Sequence, residues 1–321
     1  MPKIVIADPI FSRMDHWDTG KDWFGPGYEV VWPGGYSPEE LMLLLVGADG
    51  VVTCFDPFTA EMMDACGQSL KVVAKPGAGY NNIDVEAATA RGVMVCNVEG
   101  VRGRAVAEHA VFLMLYLSRN AWMKDEAAWE ITPMTQLDGK VLGIVGLGDI
   151  GKNLARMGDG FGMKVLVNTR TPDPASVPGT SLEFCSFEKL LPRVDYLVLC
   201  MPLTDETRGV ICTDSIARMK KSAFLINVSR GPTAVTEDLL DAMREGRLAG
   251  LGLDVTDPEP LALDHPLRAI SNVLISPHHA SRTKEADSAA LGRTAINICR
   301  AITSTRPINL VNTEVLSRRS S

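Results

Sequence analysis

The chain has 321 residues, of which 46% are hydrophobic and 22% are charged, and it carries a formal net charge of −7 at pH 7. A chain of this length predicts about two globular domains, and its negative charge argues against nucleic acid or an anionic membrane surface as a partner. The longest apolar runs, residues 41–46 and 110–117, are far shorter than the ~20 residues that a membrane-spanning helix requires.

Short runs rich in Val, Ile and Leu alternate with helix-like segments along the chain. A first series of strands is predicted at residues 4–7, 29–32, 50–53, 71–74 and 93–97. A long helix is predicted from about Arg102 to Ala128, and a second series of strands follows at residues 141–145, 164–168, 196–200, 223–228, 248–255 and 273–276. A further helix is predicted from about Arg282 to Thr303. Continuous apolar strands that alternate with helices indicate an α/β protein with doubly wound parallel sheets.

The seven cysteines are scattered along the chain without a CxxC pair. This spacing argues against a zinc site and against a disulfide framework, and it favours a reducing compartment. The N-terminal residues lack the apolar stretch of a signal peptide and predict a first strand instead. We therefore expect a cytoplasmic protein without a metal site.

A GxGxxG motif lies between a predicted strand and a predicted helix. Its residues are Gly146, Gly148, Asp149, Ile150 and Gly151, with Leu147 between the first two glycines. One glycine permits a tight turn, another lets the backbone approach a pyrophosphate, and the third allows the helix to pack closely on the strand. The N–H groups at the start of the helix then bind the anion. This setting favours a dinucleotide site over the alternative, an ordinary strand-to-helix turn.

The next predicted strand ends with Asn168, Thr169 and Arg170, without the acidic residue that usually binds the adenosine ribose. An acid would repel a 2′-phosphate, whereas an arginine can bind one through charge-assisted hydrogen bonds. This pattern favours NADP(H) as the cofactor. The alternative is NAD(H), with Arg170 as a solvated surface residue.

Several further motifs follow predicted strands, where α/β sheets place their ligands. They are residues 226–231 (INVSRG), 253–260 (LDVTDPEP) and 275–280 (ISPHHA), together with 74–84 (AKPGAGYNNID), 106–109 (VAEH) and 201–207 (MPLTDET). Taken in this order with the glycine motif, they resemble the D-isomer-specific 2-hydroxyacid dehydrogenases from about residue 70 to residue 281. Residues 97–104 (NVEGVRGR) depart from the family pattern, because Arg102 and Gly103 stand where Asn and Thr are commoner.

The resemblance implies a Rossmann-type dinucleotide-binding domain, residues 102–281, inserted into a flavodoxin-like substrate domain of residues 1–101 and 282–321. It also implies a homodimer that transfers a hydride between NADP(H) and a D-2-hydroxy acid or 2-oxo acid, with glyoxylate and hydroxypyruvate as the expected substrates. Two alternatives stay open. One is an NAD-dependent member that acts on another 2-oxo acid, formate or phosphite, and the other is a dinucleotide-sensing, corepressor-like binding protein.

The resemblance assigns the catalytic set to Arg230, Glu259 and His278. A protonated His278 can give a proton to the substrate oxygen, and its neutral form can take one back. Glu259 would hydrogen-bond the other ring nitrogen, and Arg230 offers a planar charged fork to the substrate carboxylate and carbonyl. Taken alone, Arg230 is more often a surface ion-pair partner and Glu259 a solvated carboxylate. The neighbouring His279 is expected to pack or to lie at the rim.

The resemblance also implies binding residues for substrate and cofactor. The substrate-binding residues are Lys75, Gly77, Ala78 and Gly79, the last three through main-chain N–H groups. The cofactor-binding residues are Gly146, Gly148, Asp149, Ile150, Gly151, Asn168, Thr169, Arg170, Met201, Pro202, Thr207, Val228 and Asp254. Within this set, Asp254 is expected to bind the nicotinamide carboxamide.

Overall fold

The computed structural model describes residues 1–7, 23–31, 37–54, 56–120 and 134–319. Contacts between residues divide the chain into two units, Met1–Arg102 with Lys284–Ser321, and Gly103–Thr283. Each unit contains one parallel β-sheet with helices on its faces. The predicted α/β fold with two doubly wound parallel-sheet domains is therefore confirmed.

Helices and strands alternate along the described residues. The strands are β1 (Lys3–Ile6), β2 (Glu29–Val31), β3 (Gly50–Val52), β4 (Val72–Ala74), β5 (Met94–Cys96), β6 (Val141–Val145), β7 (Lys164–Asn168), β8 (Leu182–Phe184), β9 (Tyr196–Leu199), β10 (Phe224–Asn227), β11 (Gly250–Leu253) and β12 (Val273–Ile275). The helices are α1 (Pro38–Leu45), α2 (Ala60–Cys66), α3 (Val85–Ala90), α4 (Gly103–Ser118), α5 (Asp149–Gly160), α6 (Phe187–Leu190), α7 (Thr213–Ala217), α8 (Thr236–Arg244), α9 (Lys284–Ile302) and α10 (Val315–Arg319). Among these helices, none is both long and apolar enough to cross a bilayer.

The sheet of the first unit has the order β2-β1-β3-β4-β5, and all its strands pair in parallel. This is the flavodoxin-like order that the resemblance implied. Side chains alternate between two buried faces, with Val5 and Val51 on one face and Ile4 and Val72 on the other. Helix α9 covers the second face. Burial on both faces explains why β3, β4 and β5 are continuous apolar runs.

The sheet of the second unit has the order β12-β11-β10-β9-β6-β7-β8, again with parallel pairing throughout. Counted from β6, its first six strands have the 3-2-1-4-5-6 order of a Rossmann fold, and β12 adds an edge strand. In β9, Leu197 and Leu199 pack on one face while Tyr196 and Val198 pack on the other. The chain crosses from one half of this sheet to the other between β8 and β9, which leaves the carboxyl ends of β6 and β9 side by side.

Two elements differ from the sequence prediction. Strand β8 was not predicted, because it is a three-residue edge strand whose side chains are all only half-buried and form no apolar run. Helix α4 ends at Ser118 instead of continuing to Ala128. The chain turns at Asn120, whose φ is 46° and whose N–H donates to the Leu117 carbonyl at 3.2 Å. The rest of the predicted helix lies outside the described residues, as does Trp32 at the predicted end of the second strand.

Candidate active site

Three segments of the second unit begin side by side at the carboxyl edge of its sheet. Strands β10, β11 and β12 are in register, with Asn227 opposite Leu253 and Leu253 opposite Ile275. Because these strands are parallel and end at the same level, the residues after them meet at one edge. The segments carry the three residues with implied catalytic roles, Arg230, Glu259 and His278.

His278 and Glu259 form a hydrogen-bonded pair through the His278 Nδ1 and Glu259 Oε1 atoms. Each of the two side chains is 41% exposed, so the pair is accessible to a bound molecule. Because the carboxylate engages Nδ1, the Nε2 atom is the ring nitrogen that can exchange a proton with a substrate. The pair can therefore act as an acid or base whose ring is oriented by a carboxylate.

Arg230 lies in a turn after β10 that is stabilised by a buried polar cluster. The Asn227 Oδ1 atom accepts hydrogen bonds from the Ser229 N–H at 3.0 Å and from its hydroxyl at 2.8 Å. The Thr233 hydroxyl donates to the Arg230 carbonyl at 2.7 Å. The side chain of Arg230 is exposed, and its Nη1 donates to the Ser229 carbonyl at 2.7 Å. The structure thus combines a rigid backbone with a solvent-facing guanidinium group.

Asp254, which is only 3% exposed, binds the segment that carries His278. Its Oδ1 atom accepts hydrogen bonds from the Ser276 hydroxyl at 2.7 Å and the His279 N–H at 3.0 Å, and its Oδ2 accepts from the Ala280 N–H at 3.0 Å. His109 of α4 joins this cluster, with Nε2 at 2.9 Å from the Ser276 hydroxyl oxygen. Neither His109 nor Ser276 has a role that could be predicted from the sequence. Their only sequence signals are the VAEH motif and the residue before Pro277.

The same cluster has the donor types of a metal site. His109, Asp254 and His279 each place one potential ligand atom within 4.8 Å of the others. However, both oxygens of the Asp254 carboxylate already accept hydrogen bonds, two of them from backbone N–H groups. A cation would have to displace these donors, and we therefore assign none to the cluster.

Burial lowers the pKa of His109 below its ordinary value of 6.5, an effect that Asp254 opposes and His279 strengthens. The folded protein disfavours the protonated ring, so neutral His109 contributes its full stability above pH 6.5, the ordinary pKa. This contribution is lost as the pH falls through the lower pKa of His109 in the folded protein. We expect the urea midpoint of the wild type to fall more steeply from about pH 7.5 to about pH 5 than that of His109→Gln. Parallel declines in the two proteins would show that other groups control this dependence.

The glycine motif connects β6 to α5 and has the steric properties of an anion-binding turn. Gly146 has φ +96°, and a side chain there would lie 2.8 Å from the Met201 nitrogen. A side chain at Gly151 would collide with the Gly146 carbonyl, whereas the space around Gly148 is open. Gly148 caps the 12-residue helix α5 without a side-chain hydrogen bond. The free N–H groups at the start of α5 follow this turn directly, and these residues fit the pyrophosphate of a dinucleotide.

Asp149, in the first turn of α5, packs against the start of α4. A side chain at Gly103 would collide with the Asp149 carboxylate, so the glycine that departs from the family pattern makes room for this acid. The carboxylate lies at the helix end that is proposed to bind a pyrophosphate. Its negative charge therefore opposes anion binding there.

We expect Asp149→Asn to tighten the binding of reduced dinucleotide about 5-fold at low salt, because it removes a negative charge beside the pyrophosphate site. The dissociation constant can be measured by titrating nicotinamide fluorescence, and the gain should shrink in about 0.5 M salt. Asp159→Asn, at the opposite end of α5, is the matched control. Equal affinities of Asp149→Asn and the wild type at low salt would contradict this account.

The region that is predicted to bind adenosine also contains an acid, Glu206. Strand β7 ends at Asn168, whose amide donates to the Cys185 carbonyl at 3.2 Å, and Arg170 beyond it is exposed. A hydrogen bond from Thr204, another from its own backbone, and the charge of Arg170 lower the pKa of the Glu206 carboxyl. An anionic side chain thus lies close to the arginine that was predicted to bind a 2′-phosphate.

The other predicted cofactor residues lie at the ends of β9 and β10. The side chains of Met201 and Val228 are 6% and 5% exposed and belong to the hydrophobic core. The Thr207 hydroxyl donates to the Pro202 carbonyl at 2.8 Å and accepts from the Thr204 N–H at 2.7 Å. These contacts hold the loop after β9 in place, and the Met201 backbone lies directly against Gly146.

In the first unit, the loop after β4 holds its carbonyl groups in fixed directions. The carbonyl oxygens of residues 76, 77 and 78 accept hydrogen bonds of 3.1, 2.8 and 2.8 Å from Arg102 Nε, the Val98 N–H and the Asn97 amide, respectively. In a trans peptide the N–H group points away from the carbonyl. The N–H groups of Gly77, Ala78 and Gly79 are therefore oriented as well, as a carboxylate-binding loop requires.

The side chains of Lys75 and Arg102 stabilise this loop through hydrogen bonds. The Lys75 ammonium group donates to the Cys54 carbonyl and, at 2.6 Å, to the Asn82 side-chain oxygen. Arg102 pairs with Asp287 of α9 at 2.5 Å, and the two side chains are only 18% and 8% exposed. Arg102, the second departure from the family pattern, is thus a half-buried link between the loop and α9.

The strand order, the glycine turn and the acid-oriented histidine together define a dinucleotide-binding α/β enzyme. A family model described as D-isomer specific 2-hydroxyacid dehydrogenase, NAD binding domain, matches residues 110–280. The chain belongs to the D-isomer-specific 2-hydroxyacid dehydrogenase family. It is an NAD(P)-dependent 2-hydroxyacid dehydrogenase that uses a nicotinamide dinucleotide.

Individual relatives and structures agree with this family over nearly the whole chain. A glyoxylate reductase of Korarchaeum cryptofilum is 38% identical over 302 residues, which cover 90% of this chain and 91% of the relative. A glyoxylate reductase of Thermococcus onnurineus is 37% identical over 335 residues, with coverage of 99% and 98%. The TT0316 protein from Thermus thermophilus is 33% identical, with a TM-score of 0.83 and coverage of 97% and 100%. A glyoxylate reductase structure from Paecilomyes thermophila has 25% identity, a TM-score of 0.84 and coverage of 97% and 98%.

Proposed function

We propose that this enzyme reduces a small 2-oxo acid to the D-2-hydroxy acid with NADP(H), and that glyoxylate or hydroxypyruvate is its substrate. The observation that carries the reaction type is the His278–Glu259 pair, at the same sheet edge as Arg230. A carboxylate-oriented histidine suits proton transfer to a carbonyl oxygen, and an arginine suits an anionic substrate. The name of the matched relatives, glyoxylate reductase, supports the choice of substrate.

In the proposed reaction, Arg230 binds the carboxylate and the carbonyl oxygen of the 2-oxo acid. The reduced nicotinamide, when bound, supplies the hydride that adds to the carbonyl carbon. Protonated His278 gives its Nε2 proton to the carbonyl oxygen as negative charge develops there, so that one hydride and one proton produce the alcohol. Glu259 orients the ring through its hydrogen bond to Nδ1. In the oxidation direction, neutral His278 accepts the hydroxyl proton.

We also propose that the N–H groups of Gly77, Ala78 and Gly79 bind the substrate carboxylate. These N–H groups are oriented because the carbonyl groups of residues 76–78 accept hydrogen bonds, and this orientation supports the role. Lys75 then acts by supporting the loop through Asn82, and Arg102 acts by supporting it through the Pro76 carbonyl.

The test is the loss of reduced-nicotinamide absorbance, with NADPH and NADH each tried against glyoxylate, hydroxypyruvate, pyruvate and longer 2-oxo acids. We expect the highest kcat/KM with NADPH and either glyoxylate or hydroxypyruvate. Turnover that prefers NADH would overturn the cofactor assignment, and preference for a longer acid would overturn the substrate. An enzyme inactive with every pair would overturn the proposed reaction.

The NADP(H) assignment depends on Arg170, and Arg170→Ala is expected to raise the dissociation constant for NADPH about 10-fold while changing that for NADH less than about 2-fold. The reason is that only NADPH carries the 2′-phosphate. Glu206→Gln should have the opposite effect, because it removes the anion close to Arg170. Equal losses for both cofactors in Arg170→Ala would refute a 2′-phosphate role.

We propose in addition that the enzyme is a cytoplasmic homodimer. Helix α4 carries Phe112, which is 50% exposed and whose ring centroid lies 6.0 Å from that of the half-buried Tyr116. The proposal of a dimer rests on the family resemblance, and the exposed Phe112 is one residue that a contact between subunits could cover. Sedimentation equilibrium should give twice the chain mass, and a monomer mass would overturn the proposal.

A further inference from the structure

The hydrogen bonds between His109, Ser276 and Asp254 have a defined direction. The Ser276 hydroxyl donates its single proton to Asp254 Oδ1 at 2.7 Å. Its oxygen must therefore accept the second hydrogen bond, so the proton shared with His109 belongs to the His109 Nε2 atom, 2.9 Å away. His109 is thus the donor that begins a series of hydrogen bonds, from His109 to Ser276 and from Ser276 to the Asp254 carboxylate.

At its other end, this series of hydrogen bonds reaches the backbone of residues 276–280, the histidine segment. Asp254 accepts from the N–H groups of His279 and Ala280 through its carboxylate, and from the His278 N–H at 2.9 Å through its own carbonyl. His278 has a φ of 48°, a conformation that is unfavourable for a residue with a side chain. Such a conformation persists when surrounding hydrogen bonds enforce it, and here Asp254 supplies three of them.

The position of His109 suits a supporting role. Its side chain is 14% exposed, and its ring meets the His279 ring edge-on, with centroids 5.2 Å apart. The His109 Nε2 atom lies 3.7 Å from Asp254 Oδ1 but 2.9 Å from the Ser276 hydroxyl oxygen. Ser276 is therefore the residue that His109 contacts directly. Helix α4 therefore contacts residues 276–280 through the Ser276 hydroxyl and through the His279 ring.

We infer that His109 and Ser276 are positioning residues for His278, which act by orienting the Asp254 carboxylate that holds the His278 backbone. This inference rests on the proposed function, because it concerns the residue that is proposed to transfer the proton. Loss of the Nε2 donor frees the Ser276 hydroxyl to turn away from Asp254. The histidine segment then loses one of the constraints that keep the His278 ring on Glu259.

The test compares His109→Leu, which removes the donor, with His109→Gln, whose side-chain amide can still donate to Ser276, and with Ser276→Ala. We expect His109→Leu and Ser276→Ala to lower kcat about 10-fold to 100-fold, the cost of misplacing a reacting group. His109→Gln should keep most of the activity. His265→Leu, in a histidine that contacts Glu237 instead, is the matched control.

A second measurement does not require turnover. The chain has five histidines, so the ring ¹⁵N resonances of His278 can be assigned by substitution. We expect them to shift in His109→Leu and Ser276→Ala but to stay close to the wild-type positions in His109→Gln. A general loss of stability would lower Tm without this selective shift.

The outcomes separate the two claims. A wild type that turns over no 2-oxo acid overturns the proposed function, and the His278 resonances alone then decide the inference. Wild-type kcat together with unshifted His278 resonances in His109→Leu would overturn the inference. So would a His109→Gln variant as impaired as His109→Leu, because the amide retains the hydrogen bond.

Discussion

Replacing His278 with Gln is expected to lower kcat for reduction of the 2-oxo acid by about 10²-fold to 10⁴-fold, the usual contribution of a general acid. Glutamine keeps a polar side chain but cannot donate a proton from a charged ring. The dinucleotide-binding residues are unchanged, and KM for NADPH should therefore stay close to that of the wild type. Steady-state kinetics near pH 7 with the preferred acid would measure both constants.

The neighbouring histidine provides the comparison for this experiment. His279 contributes its backbone N–H to Asp254, whereas its ring lies against His109 and not against Glu259. His279→Gln is therefore expected to cost less than about 10-fold in kcat, much less than His278→Gln. A greater loss in His279→Gln than in His278→Gln would transfer the proton-donating role to His279.

Replacing Arg230 with Lys is expected to lower kcat/KM for the 2-oxo acid by about 10²-fold to 10³-fold, comparable to the loss of one preorganised donor to a developing oxyanion. Lysine keeps the positive charge, but it has no planar fork that can bind a carboxylate and a carbonyl oxygen together. Binding of the dinucleotide should be unaffected. The constants come from the same assay, with the acid varied at saturating NADPH.

Arg244→Lys is the matched control for this substitution, because Arg244 is 56% exposed and its ion pair with Asp241 is long, at 3.9 Å. It should behave like the wild type. An Arg230→Lys variant with wild-type kcat/KM would show that charge alone suffices, and it would contradict the two-point contact proposed for Arg230.

Arg230 and His278 depend on two separate polar clusters beneath the sheet edge. Asn227, Ser229 and Thr233 hold the arginine turn, and they are 1%, 4% and 0% exposed. Asp254 and Ser276, at 3% and 9% exposed, hold the histidine segment. Reactive side chains that face solvent are thus attached to a backbone fixed by buried hydrogen bonds, an arrangement that keeps a site preorganised. Weakening one cluster should therefore affect one of the two proposed catalytic residues more than the other.

Much of this molecule could be predicted from local patterns in the sequence. Continuous apolar runs identified every described strand except β8, because most of these strands are buried on both sheet faces and have no room for polar residues. The glycine motif could be recognised because a tight turn and a close backbone contact tolerate no side chain at Gly146 and Gly151. The family resemblance identified Arg230, Glu259 and His278, and the structure brings their segments to one sheet edge.

Contacts between distant residues were decided by the tertiary structure. Arg102 and Asp287 are 185 positions apart, and His109 and Ser276 are 167 positions apart, so no local period links them. The end of α4 at Ser118 was also missed, because the apolar pattern continues past the turn at Asn120. The sequence by itself determined the strands and the glycine turn, since these depend on the burial and steric limits of each residue. The folded chain decided which buried partners hold the reacting groups, because hydrogen bonds depend on distances that only packing creates.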